Sequence, residues 1–341
     1  YSFNAVRFLT AFFNASTTSI IFLMTYRKYG LSVALASALV FGFASSIGWL
    51  GITVTVLEPY AMFFGTLGVF FLIEGVENKK RRFFFVTGIF FGLALFMKLL
   101  AATYIVPAVL FLLFYRYNDL SFRKGFAQWF MEVCLIIAGI LLIAAPVLAY
   151  LTVNGALHYA IYENIFWNLT TDPTIKAPPK PLYLKIMELY WLSKVAAPLV
   201  SFSALLFMLA FLVGERRKYD LLFLSLAVLH ILVILFIVPR GMGHHYMLSL
   251  MPLSILSGRG IAFSLSPLKR WRRIDFFTKY ASIVLLIAIL LVAGLTSLSY
   301  VRSSAQVNED LAYIMEASLY VKQHTVDGEE VFVFPMQSVL Y

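Results

Sequence analysis

Apolar residues run along this chain in blocks long enough to cross a bilayer, separated by short stretches where charge collects. A hydrocarbon core about 30 Å thick needs roughly 20 apolar residues per helix. Blocks at 5–25, 31–50, 59–75, 83–97, 99–115, 129–151, 195–213, 220–238, 246–264 and 280–298 predict ten passes. The run from Leu31 to Ile73 holds one charge, Glu58, and as a single helix would be about 64 Å long. It must fold back as a hairpin, with Glu58-Pro59 near the turn.

The run from Phe83 to Tyr115 is divided by Lys98. Taken as one pass, it would set every later basic loop across the membrane from the earlier ones. The positive-inside rule therefore selects two passes. Alternate loops then collect Arg27 and Lys28, the four residues Lys79 to Arg82, Arg116, Arg123 and Lys124, Arg216 to Lys218, and finally Lys269, Arg270, Arg272, Arg273 and Lys279. These are 17 of the 27 lysines and arginines, and all are expected to be cytoplasmic. The loops that carry them are short, basic and otherwise bland.

Composition agrees with this topology. Hydrophobic residues make up 61% of 341, charged residues 13%, and the mean hydropathy is +0.86. Too few charges remain to cover a water-facing exterior, which excludes a soluble enzyme, a disordered tail and an ordinary nucleic-acid-binding domain. The net charge of +10 is accounted for by the loops without a polyanionic partner. Cys134, the one cysteine, sits in an apolar run, so neither a disulfide framework nor a zinc set is expected. No signal peptide is evident after Tyr1, and both ends of the sequence read as cut. The predicted fold class is an all-α polytopic membrane protein of about ten transmembrane helices with external loops. A membrane domain spans 1–298. Residues 299–341, with a helix at 308–323 and a strand at 330–334, read as the start of an external C-terminal α/β domain.

Unusual chemistry gathers on the side away from the basic loops. Glu58 precedes Pro59, a favoured first helical residue, and a carboxylate there is stabilised by the helix dipole. It reads either as a helix-terminal acid or as an acidic group in an external cleft. Lys98 ends a half-pass only about 22 Å long, so it lies below the far surface, where it either snorkels or meets an anion. A lipid-linked phosphate would be a suitable anion, and Gly88 and Gly92 allow close helix packing beside it. The loop PRGMGHHYMLSLMP sets Arg240, His244, His245 and Tyr246 at an external helix start. Adjacent histidines point about 100° apart, a poor bidentate pair for a metal. Arg240 suits phosphate, while Tyr246 also fits an interfacial belt. The long stretch 152–194 carries Tyr159, Tyr162 and Phe166 on one helical face, a proline-rich run through Pro181, then Tyr183, Tyr190 and Trp191. It reads as an interfacial helix or as a lid over a groove. Asn168-Leu169-Thr170 is a glycosylation sequon.

The segments AVRFLTAFFNASTTSIIFLMTYRKYG, LEPYAMFF, GIFFGLALFMK and PRGMGHHYMLSLMP, in that order, resemble successive helices of the GT-C glycosyltransferases. The nearest branch is that of protein O-mannosyltransferases and aminoarabinose transferases, and the resemblance runs from Ala5 to about Ser264. It implies transfer of a mannose-like or related sugar from a polyprenyl-phosphate donor to a protein or glycolipid acceptor outside the cytoplasm, with inversion at the anomeric centre. It implies a principal carboxylate base in a first external loop that would lie before Tyr1. Glu58 then corresponds to the family's second acidic residue, where aspartate is common. Lys98 corresponds to the basic residue ending a glycine-rich helix. Arg240, His245 and Tyr246 correspond to a late external polar cluster that binds the donor phosphate. No divalent metal or other cofactor is expected, nor any nucleic acid. The expected location is the plasma membrane, with the endoplasmic reticulum as the alternative. A transporter or flippase of lipid-linked sugars is the competing reading. It calls for broken helices in two related halves, and no such repeat is evident.

Overall fold

The computed structural model describes residues 3–45, 57–119, 122–162, 181–191, 204, 207, 208, 211, 218–238 and 243–264. Two units divide the chain, Tyr1–Leu286 and Ile287–Tyr341, and every described residue lies in the first. The expected passes at 280–298 and over most of 195–213, the sequon, and the expected helix and strand after residue 299 lie outside the described residues.

What is described is helical. The helices are α1 (Phe3–Tyr29), α2 (Leu31–Ser45), α3 (Glu58–Asn78), α4 (Arg81–Met97), α5 (Ala102–Asp119), α6 (Phe122–Val153), α7 (Leu157–Ile161), α8 (Leu182–Trp191), α9 (Asp220–Phe236) and α10 (Leu250–Ser264). One 3₁₀ turn, Leu99–Ala101, joins α4 to α5, and another, Gly243–Ser249, leads into α10. Five stretches are long and apolar enough to cross a membrane: Phe8–Tyr29, Glu58–Asn78, Leu99–Tyr117, Arg123–Val153 and His245–Phe263. The protein is multi-pass.

Both predicted breaks are present. Gly30, at φ +90°, ends α1 and starts α2. Residues 31–73 are not one helix, since α2 stops at Ser45 and α3 begins at Glu58. Lys98 stands between α4 and α5 with an extended backbone, φ −156° and ψ 122°. Two helices, α4 and α5, therefore stand where one was possible.

Glycines set how close the helices come. A Cβ on Gly88 would lie 2.0 Å from the Ile136 carbonyl oxygen, and one on Gly139 would lie 2.2 Å from that of Phe85. Gly92 meets Ile140 and Ile143 in the same seam. So α4 and α6 touch backbone to backbone, as small residues in membrane helices permit. A second such seam joins α2 to α10, where Gly258 faces Ser37. Between α3 and α4, rings fill the space: Phe71 stacks on Phe90 with centroids 5.4 Å apart. Buried Met24, Phe41, Met62, Leu72, Phe91 and Phe223 form the centre. Helix α6 turns Phe130, Leu141 and Leu142 outward, each more than half exposed, as a lipid-facing surface requires.

The chain ends of the helices sort into two sets. At one end Arg27 pairs with Glu74 at 2.9 Å and Lys28 pairs with Glu77. Tyr219 donates to Glu77 at 2.7 Å, and Lys218 donates to the Tyr115 hydroxyl at 2.7 Å. These contacts draw the ends of α1, α3 and α5 and the start of α9 together, so among the described residues Arg27, Lys28, Lys79 and Lys218 gather at one end; Arg216, Arg217 and the basic residues of 269–279 lie outside the described residues. Burial, then the Glu77 carboxylate, hold the Tyr219 phenol well above its ordinary pKa. This end is not bland, contrary to the sequence reading. Arg116, counted there as a loop charge, is 1% exposed and its Nε bonds Glu132 at 3.0 Å. Arg259 grips Asp220 through Nε and Nη2 at 3.3 and 3.1 Å, and Tyr29 donates to the same carboxylate at 3.0 Å. Charges set one turn inside a helix are drawn inward by a partner that local sequence does not reveal.

The α4–α6 seam is testable. Gly88→Ala puts a methyl against backbone that cannot swing away, at an expected cost of about 1–3 kcal/mol or more. Its thermal midpoint and monodispersity in detergent should fall. Gly42→Ala, with nothing within 4 Å of the new Cβ, should leave both unchanged. Equal behaviour of the two variants would show that the close approach is dispensable.

Candidate functional site

At the end opposite the basic network, the two sequence-predicted charges meet. Glu58 is the first residue of α3, after Leu57 at the N-cap and before Pro59, and it is 1% exposed. Lys98 follows α4. Because α3 and α4 form an antiparallel hairpin, the start of one lies beside the finish of the other. The Lys98 Nζ is 2.8 Å from Glu58 Oε1. The anion that Lys98 meets in this structure is thus Glu58. The positive end of the α3 dipole supports the same carboxylate.

The two partners differ in access. The Lys98 side chain is 31% exposed and that of Glu58 only 1%. The lysine is therefore the group that a ligand can reach. Its extended backbone lifts it out of both helices, and its own N–H still closes α4 by bonding the Ala94 carbonyl.

A second polar bridge lies one turn further along. The Thr103 hydroxyl is 2.7 Å from His230 Nδ1, and His230 Nε2 is 2.9 Å from the His245 carbonyl oxygen. A carbonyl can only accept, so Nε2 carries a proton and in the neutral ring Nδ1 is an acceptor; the single Thr103 hydroxyl proton is shared between it and the Leu100 carbonyl oxygen, 2.8 Å away. Beside it the Tyr104 hydroxyl donates to the Leu248 carbonyl at 2.8 Å. Through these bonds the start of α5, just after Lys98, and helix α9 hold the 3₁₀ turn Gly243–Ser249 in place.

Of the late polar cluster, Arg240 lies outside the described residues, and for His244 the backbone alone is described, in the 3₁₀ turn. His245 is half-buried in that turn. Tyr246 is 4% exposed and packs in the core rather than in an exposed belt. Reading the sequence missed Thr103 and His230. The one signal was a histidine inside the apolar run of α9, which periodicity alone does not distinguish from a core residue. Among the described residues no group of His, Cys, Asp and Glu is arranged to hold a metal ion. Helix α8, near the end of the predicted 152–194 stretch, exposes Tyr183, Ile186 and Met187 and buries Lys185. The Lys185 ammonium donates to the carbonyls of Leu235 at 3.1 Å and of Val238, capping the end of α9.

Residues 2–169, which contain Glu58, Lys98 and Thr103, match the family model described as dolichyl-phosphate-mannose-protein mannosyltransferase. Among solved structures, the chain is similar to ArnT from Cupriavidus metallidurans bound to undecaprenyl phosphate. That likeness has a TM-score of 0.59 and 13% identity, over 84% of this chain and 50% of that one. For the apo state of the same protein the TM-score is 0.56, at 14% identity, over 84% and 49%. This chain thus spans about half the length of the ArnT chains it matches. No curated protein matches it. At such identity the likeness is one of fold. Fold and family model both support the resemblance to GT-C glycosyltransferases acting on polyprenyl-phosphate sugars.

Coupling between Glu58 and Lys98 can be measured. Lys98→Met leaves a buried carboxylate without its counter-charge, at a cost on the order of 2 kcal/mol. Adding Glu58→Gln to it should recover most of that loss. Thermal unfolding of the four members of the cycle reads the coupling directly; additive losses would show that the pair is not energetically linked.

Proposed function

We propose that this protein is a membrane glycosyltransferase that moves a sugar, mannose or a related one, from a polyprenyl-phosphate donor to an acceptor at the Glu58–Lys98 end of the bundle. The observation that carries the reading is that ion pair, a partly exposed lysine held by a buried acid at a helix start. The ArnT fold supports it, since that protein was crystallised with undecaprenyl phosphate.

The chemistry asks little of the residues beyond charge and position. An acceptor oxygen attacks the anomeric carbon as the bond from that carbon to the phosphate oxygen breaks. The electron pair leaves with the lipid phosphate, and the acceptor proton passes to a base. Negative charge therefore grows on the phosphate, where a preorganised cation lowers the barrier most. Lys98 is that cation, and Glu58, too buried to touch a substrate, acts by fixing its Nζ. Following the family resemblance, Arg240, His245 and Tyr246 are assigned to the donor phosphate as well, with Arg240 a planar donor for it. The leaving group is an anionic lipid, so the donor approaches from the bilayer and the acceptor from water.

Full-length protein, purified and in lipid, given radiolabelled polyprenyl-phosphate mannose and a cell extract as acceptor, should form labelled product. Lys98→Gln should lower transfer at least about tenfold at an unchanged level of folded protein, and Lys98→Arg should keep part of it. Transfer unaffected by Lys98→Gln would remove the site assignment. Labelled lipid that moves between leaflets without forming product would instead favour the transporter.

A further inference from the structure

The basic end holds a cavity of about 400 Å³ between the α3–α4 turn and the start of α6. Lys79, Arg81, Gln128 and Glu132 supply its polar wall, Phe84 and Met131 its apolar one. We propose that it is a binding site for the phosphate headgroup of an anionic phospholipid of the surrounding bilayer.

Charge bookkeeping points there. Each of Arg27, Lys28, Arg116 and Arg259 is paired with a carboxylate. Glu132 is spent on Arg116, and Gln128 Nε2 donates to it at 3.0 Å. The wall therefore keeps the two positive charges of Lys79 and Arg81, both exposed and neither in an ion pair among the described residues. The backbone is arranged to bring one of them in. Lys79 ends α3 at φ 54°, a left-handed conformation usually left to glycine at a helix end, and it is the only residue other than glycine with positive φ among those described. A lysine in that place supplies a side chain where a glycine would supply the turn alone.

Position selects a lipid as the source of the phosphate. The cavity lies at the ends of α3 and α6, both long and apolar enough to cross a membrane, where such helices meet the headgroups, and α6 beside it turns an apolar face outward along its length. A headgroup seated between Lys79 and Arg81 would have its acyl chains run along Phe130 and the lipid-facing residues of α6, with Phe84 and Met131 beneath the glycerol. Basic pockets of this kind between membrane helices recognise anionic headgroups.

The test is native mass spectrometry of the protein after equilibration with vesicles of equimolar phosphatidylcholine and phosphatidylglycerol. The wild type should retain phosphatidylglycerol in excess. Lys79→Gln and Arg81→Gln should each reduce that excess, by about fivefold where the full surface attraction of one cation is lost, and the double variant more. Lys79→Arg with Arg81→Lys should keep the preference, and Arg123→Gln, outside the cavity, should not alter it. Equal retention of the two lipids by the wild type, or an undiminished excess in the double variant with an unchanged thermal midpoint, would overturn the proposal. Displacement of the retained lipid by millimolar inorganic phosphate would overturn the choice of a lipid and assign the pocket to free phosphate.

Discussion

A charge carried into a bundle of membrane helices has to find its opposite inside the bundle. Water is not there to solvate it, and leaving it alone costs several kilocalories per mole. Much of the architecture follows from where those pairs can form. Arg116 with Glu132 fastens α5 to α6, and Arg259 with Asp220 fastens α10 to α9, where Tyr29 of α1 joins them. Glu58 with Lys98 fastens the start of α3 to the finish of α4. Between these ends the glycine seams at Gly88, Gly139 and Gly258 let the backbones meet, and rings such as Phe71 and Phe90 fill what remains.

The topology was legible because it follows from length and charge. Forty or so apolar residues from Leu31 exceed one bilayer and must turn; a lone Lys98 must stand at a break; loops rich in Lys and Arg must share a side. Each is a one-dimensional constraint, and among the described residues a helix starts anew at Glu58, Lys98 stands between two helices, and Arg27, Lys28, Lys79 and Lys218 gather at one end. Glu58 and Lys98 both stood out in the sequence for the same reason, as isolated charges in apolar surroundings. Their contact did not. It depends on α3 and α4 being antiparallel and in one register, which no local pattern states. Arg116 was misplaced in a loop because it stands beside Tyr115 and Tyr117 at a helix end, and only the partner Glu132, sixteen residues on, draws it inside. His230 and Thr103 were invisible, since each lies in an apolar helix and acquires a role through the other and through a backbone carbonyl.

The two ends also differ in how firmly their charges are held. At the basic end the buried pairs use arginine against a carboxylate through two nitrogens, a planar fork that loses both bonds together when it opens. Asp220 is further gripped by Tyr29, and Glu132 by Gln128. Such pairs suit a permanent clasp.

The other end uses lysine. An ammonium is a point charge with no preferred plane, so it can turn from one anion to another without breaking a matched pair of bonds. Lys98 has an extended backbone between two helices and a side chain 31% exposed, so its head lies between the buried acid and the outside. Glu58 is kept in place by the helix start and by burial. Under the proposed function a donor phosphate would meet the lysine without displacing that acid, and the fixed anion would set where the exchangeable one must sit. A buried glutamate at a helix start and a partly exposed lysine beyond a helix end are complementary in this sense. The acid gives the position, and the base gives the reach.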